Sequence, residues 1–546
     1  MTSVHRLQPA ATALPARRIG TTWRNFPALL AVLSCLTAVA VNLPLVYLFV
    51  RATATGGRDY LDVVFSPATM RLLVETLALV AGVVLLALAV ALPMAWLVAR
   101  TDLPGRRAWA VIGALPLVFP SYVAALALVV VLGPRGWVQS WMQPLGVERL
   151  PEIAYGYSGA LLVLALFTYP YIYLPTVAAL RGLDPALEES SRTLGVGRWA
   201  TFRRVVLPQL RPAIYGGSLL VVLYTISDFG AVSIVRYNTM TLGIFNAFSA
   251  LLDQSGRAAA LSTVLAGLAF SFVALQSLLL RSTRPTRTRA ARPAAAVALG
   301  RWKWPCLVGL GAVGTLTVLL PTGVAVFWGA RALVVGNSLD GGWISGLNSL
   351  IVSVVAAIAA GTLALPLAAW AVRYRSRAAR IAERLSYSGN ALPGLVVALA
   401  LVFFVTRYWM SAYQTLGLLI AAYVIRFLPE AVASVRASLT ALSPAFEEAA
   451  HSLGRRPLDV LRSVTLPLIR PGVLAGVGLV FLTSMKELPA TLILRPIGFE
   501  TLATRIWTAA SEGIYSEAAL PTLLLLLASV GPVHLLFIRP MLAERP

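Results

Sequence analysis

The sequence predicts an all-α integral membrane protein with about 12 transmembrane helices, arranged as two parallel-repeat halves of six. Three observations predict this fold: a strongly apolar composition, recurring apolar runs of membrane-spanning length, and a polar segment that occurs once in each half. Of the 546 residues, 58% are hydrophobic and only 12% are charged. Soluble domains average about 25% charged residues. The chain therefore has too few charges to cover several soluble domains, and lipid is its expected environment.

The predicted spans follow from the roughly 20 residues that a helix needs to cross the hydrocarbon core. Prolines within several runs are compatible with spans, because neighbouring helices can satisfy the freed carbonyls. The first run is longer than the apolar region of a signal peptide, about 7–15 residues, so we expect a retained helix. The predicted spans are 27–50, 72–99, 108–133, 158–180, 213–235, 258–280, 304–329, 347–372, 386–406, 413–435, 472–494 and 517–538.

The basic residues indicate how these spans are oriented. With the N-terminus inside, 32 of the 45 Lys and Arg residues fall in segments predicted to be cytoplasmic, which is the positive-inside asymmetry. Both termini are therefore expected in the cytoplasm. The same asymmetry accounts for the net charge of +23 without nucleic acid, for which the sequence carries no recognition motif.

Four segments follow from this topology. They are a cytoplasmic N-terminal segment 1–26, a first six-helix domain 27–281, a cytoplasmic basic linker 282–303 and a second six-helix domain 304–546. Because six is even, both halves enter the membrane from the same side and are related by an axis along its normal, with a central path between them. Binding of anionic lipid is an alternative role for the basic linker.

A polar loop is repeated between the halves. Residues 184–214 and 443–473 match without gaps at an offset of 259, with 12 identities in 31 positions. Each copy predicts a helix with acidic residues in its first turn, a glycine turn, and a second short helix before the next span. One copy would suit a mere connector, whereas two copies suit docking onto a twofold partner. The residues expected to form these surfaces are Glu188, Glu189, Gly195, Arg203, Glu447, Glu448, Gly454 and Arg462.

The motifs Glu-Glu-Ser-Ser…Leu-Gly (188–195) and Glu-Glu-Ala-Ala…Leu-Gly (447–454), each followed by Leu-Pro-x-x-Arg-Pro, resemble the EAA loop of binding-protein-dependent ABC importer permeases. The resemblance implies the type I ABC importer permease fold in the bacterial cytoplasmic (inner) membrane. It also implies that each loop couples to one of two cytoplasmic ATP-binding subunits, and that a substrate-binding protein docks on the outer side. No cofactor bound by this chain is implied, and ATP would be used by the partner subunit.

A narrower resemblance concerns the substrate. Ser-Met-Lys-Glu-Leu-Pro-Ala-Thr (484–491), with Leu-Arg-Pro (494–496) and Phe-Glu-Thr-Leu-Ala-Thr (499–504), is similar to ferric iron permeases of this family. Ser-Asp-Phe-Gly-Ala (227–231) and Val-Arg-Tyr (235–237) look like the first-half counterpart. Permeases for thiamine, phosphonate and sulfate are close relatives, so those substrates are the alternatives.

Two intramembrane carboxylates, Asp228 and Glu487, occupy equivalent positions near the outer ends of the fifth and eleventh spans. Such residues are costly in lipid and are functional by default. They are expected either to contact a hard cation, which prefers oxygen ligands, or to lock the outer gate by pairing with nearby basic residues. The candidate pairs are Asp228 with Arg236, and Glu487 with Lys486 or Arg495; Tyr224, Tyr237 and Glu500 are further oxygen donors, and no metal-ligand set is assigned.

Two other classes of protein are less consistent with the sequence. A secondary transporter with two parallel halves fits the span count but does not explain the repeated loop. An enzyme is not indicated, because nucleophile-elbow and zinc-binding motifs are missing. The sequence also lacks a Gly-x-x-x-x-Gly-Lys-Ser/Thr phosphate loop, and its only lysines are Lys303 and Lys486. ATP hydrolysis is therefore expected on a separate polypeptide.

Overall fold

The computed structural model describes residues 27–54, 57–146, 151–250, 255–281, 296–335, 340–374 and 376–535. The predicted N-terminal segment 1–26 and most of the predicted linker, residues 282–295, lie outside the described residues. Within the described part the chain is helical, and extended pairing is confined to one isolated bridge between Thr101 and Val297. The predicted all-α fold is confirmed.

The first half contains six long helical segments. They are Pro27–Thr53, Pro67–Arg100, Ser121–Leu132, Gly156–Thr168 with Pro170–Arg181, Leu207–Ser227 and Ser255–Arg281. The shorter α-helices are Gly57–Val64, Arg106–Ile112, Trp137–Met142, Pro185–Thr193, Arg198–Thr201, Gly230–Ile234 and Met240–Ser249. Leu115–Val118 and Gln143–Leu145 are 3-10 turns, and Phe202–Val206 is π-helical.

The second half has the same plan. Its long segments are Lys303–Gly314 with Leu320–Val335, Asp340–Tyr374, Gly394–Tyr408, Leu416–Ala441, Leu466–Met485 and Tyr515–Val533. The shorter α-helices are Arg377–Ser386, Ser388–Ala391, Ala445–Ser452, Pro457–Val460, Pro489–Leu494 and Leu502–Glu512. Gly300–Trp302 and Met410–Ala412 are 3-10 turns, and Thr315–Leu319 and Leu461–Thr465 are π-helical.

One predicted span is not among the described helical segments long enough to cross a membrane. Among the described residues, 11 helices are long and apolar enough to cross a membrane, and the predicted ninth span is the 15-residue helix Gly394–Tyr408. Pro393 sets its start, because the residue before a proline favours extended backbone, and Leu392 has φ −94° and ψ 137°. This helix is almost wholly buried among other helices. It therefore does not have to cover the thickness of the lipid by itself.

The two halves are interleaved. Pro27–Thr53, the first helix of the first half, packs against Asp340–Tyr374 and Gly394–Tyr408 of the second half. Leu320–Val335, near the start of the second half, packs in turn against Ser121–Leu132 of the first. Each of the two apolar cores consequently contains residues from both halves. Helices of each half are therefore held in place partly by helices of the other half.

Small residues allow the helices of the second half to approach closely. Helix association within lipid depends on close packing rather than on hydrophobic transfer, so small side chains are favoured at the contacts. Asp340–Tyr374 packs against Leu416–Ala441 and Leu466–Met485. A row of fully buried alanines runs along it at every fourth residue: Ala356, Ala360, Ala364 and Ala368.

Candidate functional site

Each repeated loop folds as a short helix closed by a glycine turn. Gly195 and Gly454 follow the helices Pro185–Thr193 and Ala445–Ser452, with φ of +78° and +80°. In both turns the residue after the glycine donates to a carbonyl five residues earlier, and the glycine donates to one three residues earlier. This is the Schellman arrangement, whose left-handed residue is usually glycine because it has no Cβ. The predicted left-handed turns are confirmed.

The loop helix of the first half is held by Glu188. Its carboxylate pairs with Arg100, the last residue of Pro67–Arg100 and itself buried, and also lies 3.6 Å from the Arg192 guanidinium. The neighbouring Glu189 points to solvent. Of the two predicted glutamates, only Glu188 is therefore engaged with the helix bundle.

The loop helix of the second half is held in the same way by Glu447, which is 2% exposed. One of its oxygens lies 3.0 Å from Arg373 Nε, and the other accepts a hydrogen bond from Thr465 Oγ1 at 2.9 Å. Arg373 lies at the end of its span helix, as Arg100 does in the first half. Glu448, like Glu189, is exposed. The halves thus anchor their loops with the same glutamate–arginine pair.

The predicted second short helix of each loop is not separate, and this prediction was wrong. The chain is continuously helical through Arg198–Thr201, Phe202–Val206 and Leu207–Ser227, with a π-helical stretch in the middle. The second loop repeats this, and the exposed Arg203 and Arg462 lie in the two π-helical stretches. A proline follows each stretch at the second residue of the next α-helix. Because proline has no N–H to donate, a locally widened turn lets the helix continue past it.

Both loops present large apolar side chains to solvent. Leu194 is 82% exposed and Leu453, its equivalent at the repeat offset of 259, is 84% exposed. Leu187 and Phe446, also equivalent to each other, are exposed as well. These side chains lie on connecting loops rather than on the long apolar helices, so lipid does not account for them. Exposed apolar patches of this kind occur at contacts with other proteins and with membranes.

The last residues of the predicted linker, 296–303, are attached to the first half beside Arg100. The Val297 amide donates to the Arg100 carbonyl at 2.8 Å, and the Asp102 amide donates to the Val297 carbonyl at 3.2 Å. The Asp102 carboxylate accepts from the Leu299 amide at 2.9 Å and lies 2.8 Å from Lys303 Nζ. The hydrogen bonds from Lys303 and then from Leu299 hold the pKa of Asp102 below its ordinary value.

Replacing Asp102 with alanine should therefore loosen residues 296–303, whereas asparagine should have a smaller effect because it can still accept from Leu299. Since the pKa of Asp102 is depressed in the folded state, its contribution is present above the ordinary carboxyl value of about 3.9 and is lost as pH falls through the folded value. Hydrogen exchange of this segment, corrected for intrinsic rates, checks both effects. Equal protection in wild type, Asp102→Ala and the control Asp62→Ala would contradict the attachment.

Deeper in the bundle, Asp228 serves as the cap of a short helix. One carboxylate oxygen accepts from the amides of Ala231 at 2.9 Å and Val232 at 3.3 Å, at the start of Gly230–Ile234. The other oxygen accepts from the hydroxyl of Ser121. Asp228 therefore ties the end of the fifth span to this helix and to the third span.

Glu487 occupies the same position in the second half. One of its oxygens accepts from the Ala490 amide at 3.1 Å, capping Pro489–Leu494, and the other pairs with the Arg426 guanidinium. Gly394 makes room for that arginine, because a Cβ at this position would overlap Arg426 Nη1 and lie 2.6 Å from Glu487 Oε1. Gly394 directly follows the N-cap proline of its helix, and Ser121, which donates a hydrogen bond to Asp228, directly follows the N-cap proline of its own helix. In the first half, the serine after the capping proline binds the carboxylate of the aspartate. In the second half, a glycine stands in that position and leaves room for an arginine, which binds the carboxylate of the glutamate.

The partners proposed for these carboxylates from sequence were wrong. Arg236 stacks over the ring of Tyr155 at 5.4 Å, and Arg495 lies 3.7 Å from Glu500. Lys486 Nζ donates at 2.6 Å to the carbonyl of Leu117, in the other half. The predicted partners are close in sequence, whereas the observed contacts of the two carboxylates come from helices brought together by the fold. Whether these residues gate the path stays a prediction.

Comparison with known proteins gives a family match over most of the chain. Residues 14–285 and 354–538 match the family of binding-protein-dependent transport system inner membrane components. The chain is 34% identical over 523 residues to the Fe(3+)-transport system permease protein FbpB 2 of Haemophilus influenzae, covering 94% of this chain and 98% of that protein. It is 23% identical over 422 residues to the ferric transport system permease protein FbpB of Actinobacillus pleuropneumoniae, covering 74% of this chain and 61% of that protein. The molybdenum transport system permease protein ModB of Escherichia coli (strain K12) is 35% identical over 122 residues, which cover 21% of this chain and 50% of that protein.

Proposed function

Because this chain belongs to the family of binding-protein-dependent transport system inner membrane components, we propose that it is the channel-forming permease of an ATP-driven importer of ferric iron. The substrate assignment rests on the similarity to a Fe(3+)-transport system permease over nearly the whole of both chains. The similarity to a molybdenum permease covers about a fifth of this chain. Because both halves are fused, one polypeptide forms the whole path.

The two repeated loops are the proposed docking sites for two copies of a cytoplasmic ATP-binding subunit. Two features support this role: the matched exposed side chains Leu194 and Leu453, and the glutamate–arginine pairs that join each loop rigidly to a span. A rigid joint is needed because closure of the ATP-binding subunits must move the spans rather than bend the loop. This chain is a transporter subunit, and ATP is used by the partner.

The loops are proposed to face the cytoplasm, with both termini on the same side and a substrate-binding protein outside. Lys303 offers a direct check, because the only other lysine, Lys486, lies at the end of a span. An impermeant amine reagent should label Lys303 in inside-out vesicles and not in intact cells. Labelling of Lys303 itself from the outside would reverse the proposed orientation.

The substrate proposal is tested by transport. The permease should be reconstituted in proteoliposomes with its ATP-binding subunit and its substrate-binding protein, and offered ferric iron, sulfate or molybdate. We expect ATP-dependent uptake of ferric iron at least about tenfold above either oxyanion, the equivalent of 1.4 kcal/mol of discrimination. Uptake of an oxyanion in preference to iron would overturn the substrate assignment while leaving the permease role intact.

A further inference from the structure

Four polar side chains lie near the contact between the two halves, and none of them caps a helix as Asp228 and Glu487 do, although Tyr224 lies beside Ser121 and Asp228. Tyr171 and Tyr224 come from the first half, and their ring centroids are 5.9 Å apart. Glu430 and Thr483 come from the second half, and Thr483 Oγ1 donates to Glu430 Oε2 at 3.1 Å. At the repeat offset of 259, Tyr171 is equivalent to Glu430, and Tyr224 to Thr483. The two pairs thus occupy equivalent positions in the two halves.

These side chains are close together and only partly buried. The Glu430 carboxylate is near enough to the Tyr171 hydroxyl to act on it electrostatically. All four residues retain partial exposure within or near the ends of long apolar helices, where most neighbours that face the bundle are buried. Polar side chains within membrane-spanning helices commonly face the bundle interior or a water-filled cavity, and they commonly mark substrate pathways.

Glu430 differs from the other two carboxylates in how it is engaged. Asp228 and Glu487 use both oxygens, as helix caps and with Ser121 or Arg426. Within the described residues, Glu430 accepts a hydrogen bond only from neutral Thr483. Arg426 lies one turn before Glu430 on the same helix, but its guanidinium is held by Glu487. Of these three carboxylates, Glu430 is therefore the one that neither caps a helix nor pairs directly with an arginine.

A further hydroxyl lies beside this group. Tyr122 is 2% exposed, and its hydroxyl has no hydrogen-bond partner in the described residues. It is close enough to Tyr224 and to Glu487 to interact electrostatically with both. A buried hydroxyl without a partner is costly and calls for an explanation, such as a ligand that it meets in another state. Tyr171 lies near Glu430, Tyr224 lies beside Tyr171, and Tyr122 lies near Tyr224, so three phenol groups continue from the Glu430 carboxylate into the bundle.

We propose that Glu430, with Tyr171 and Tyr224, forms a transit site for a hard, highly charged cation, a role that rests on the proposed function and identifies its substrate contact. Carboxylate and phenol oxygens are the donors such a cation prefers. A single carboxylate suits passage, because a site on a conduction path must also release its ion. Clusters of three or more His, Cys, Asp and Glu are not found in the described part of the chain, which fits transit rather than a resident metal. An oxyanion would be repelled by an ionised Glu430 carboxylate.

The test uses the full reconstituted importer and the variants Glu430→Gln, Glu430→Asp and Tyr171→Phe with Tyr224→Phe. Matched controls are Glu512→Gln and Tyr408→Phe, which are exposed and lie outside this group. Ferric iron uptake and the ATPase activity stimulated by loaded binding protein are measured on the same preparations. We expect Glu430→Gln to lower uptake by about tenfold or more, the usual scale for losing a charged ligand, with ATPase stimulation within about twofold of wild type. Glu430→Asp and the double phenylalanine variant should retain intermediate uptake.

Three outcomes would overturn the inference. Uptake at the wild-type rate in Glu430→Gln would show that this carboxylate is not part of the path. Uptake at the wild-type rate in the double phenylalanine variant would show the same for the two tyrosines. Parallel loss of uptake and ATPase stimulation in a correctly assembled Glu430→Asp variant would assign Glu430 to the gate instead of the cargo. Failure of the wild-type complex to move ferric iron at all would contradict the proposed function, which distinguishes the two claims.

Discussion

Replacing Arg426 with leucine should lower the free energy of unfolding of the permease by about 3 kcal/mol, the usual scale for breaking a buried ion pair by removing one partner. Arg426 pairs with Glu487, which is 5% exposed and also caps the helix Pro489–Leu494. Without the guanidinium, the carboxylate stays buried with its charge uncompensated. The expected result is a lower midpoint of thermal unfolding in detergent and a smaller yield of monodisperse protein.

Glu487→Gln alone should also destabilise, because it leaves the Arg426 guanidinium without its carboxylate. The double variant Arg426→Leu with Glu487→Gln should recover part of the loss, since neither charge then remains, and the double-mutant cycle isolates the coupling. Gly394→Ala should mimic the single variants, because its Cβ would displace the guanidinium. Arg407→Leu, at an exposed position near the end of Gly394–Tyr408, is the matched control. Strictly additive effects in the cycle would show that the two residues are not coupled.

The sequence predicted well those features that depend on local physics. Apolar length and the placement of arginine indicated the spans, and the two left-handed turns at Gly195 and Gly454 followed from local helix-stop chemistry. The repeat at an offset of 259 also placed Asp228 and Glu487 at equivalent positions, and in the structure both cap the short helix that follows them. Helix signals, caps and repeats are properties of contiguous residues, so a single chain displays them.

What the sequence did not predict depends on which helices meet. Arg426 is 61 residues from Glu487, and the space it needs is provided by Gly394, on a third helix. Glu430 was not singled out, although a second charge four residues after Arg426 within one span is a signal that the sequence does contain. The repeated loops predicted a separate second short helix before the fifth and eleventh spans, but π-helical stretches carry the helix through. Contacts between distant helices and the continuity of a helix depend on tertiary packing, which cannot be read from one sequence.

The largest functional loss is expected when both loop surfaces are given a charge. Leu194→Asp with Leu453→Asp should leave the folded permease intact, because both side chains are more than four-fifths exposed and fill no part of the core. A carboxylate on each apolar docking surface should nevertheless prevent the ATP-binding subunit from seating, since a desolvated, unpaired charge at an interface costs several kcal/mol. We expect the partner subunit to be lost on affinity purification and ATP-dependent uptake to fall by about a hundredfold or more.

The design of this experiment separates docking from folding. Leu145→Asp makes the same change at a side chain that is 72% exposed on a different loop, between the third and fourth spans, and should leave both assembly and uptake unchanged. Gly195→Val with Gly454→Val should reproduce the loss by another route: a Cβ meets no atom within 4 Å at either glycine, so the effect comes from the left-handed backbone, which costs a non-glycine residue about 1–2 kcal/mol. If the double aspartate variant still binds its ATP-binding subunit and transports iron at the wild-type rate, the repeated loops are connectors and the coupling surface lies elsewhere on the chain.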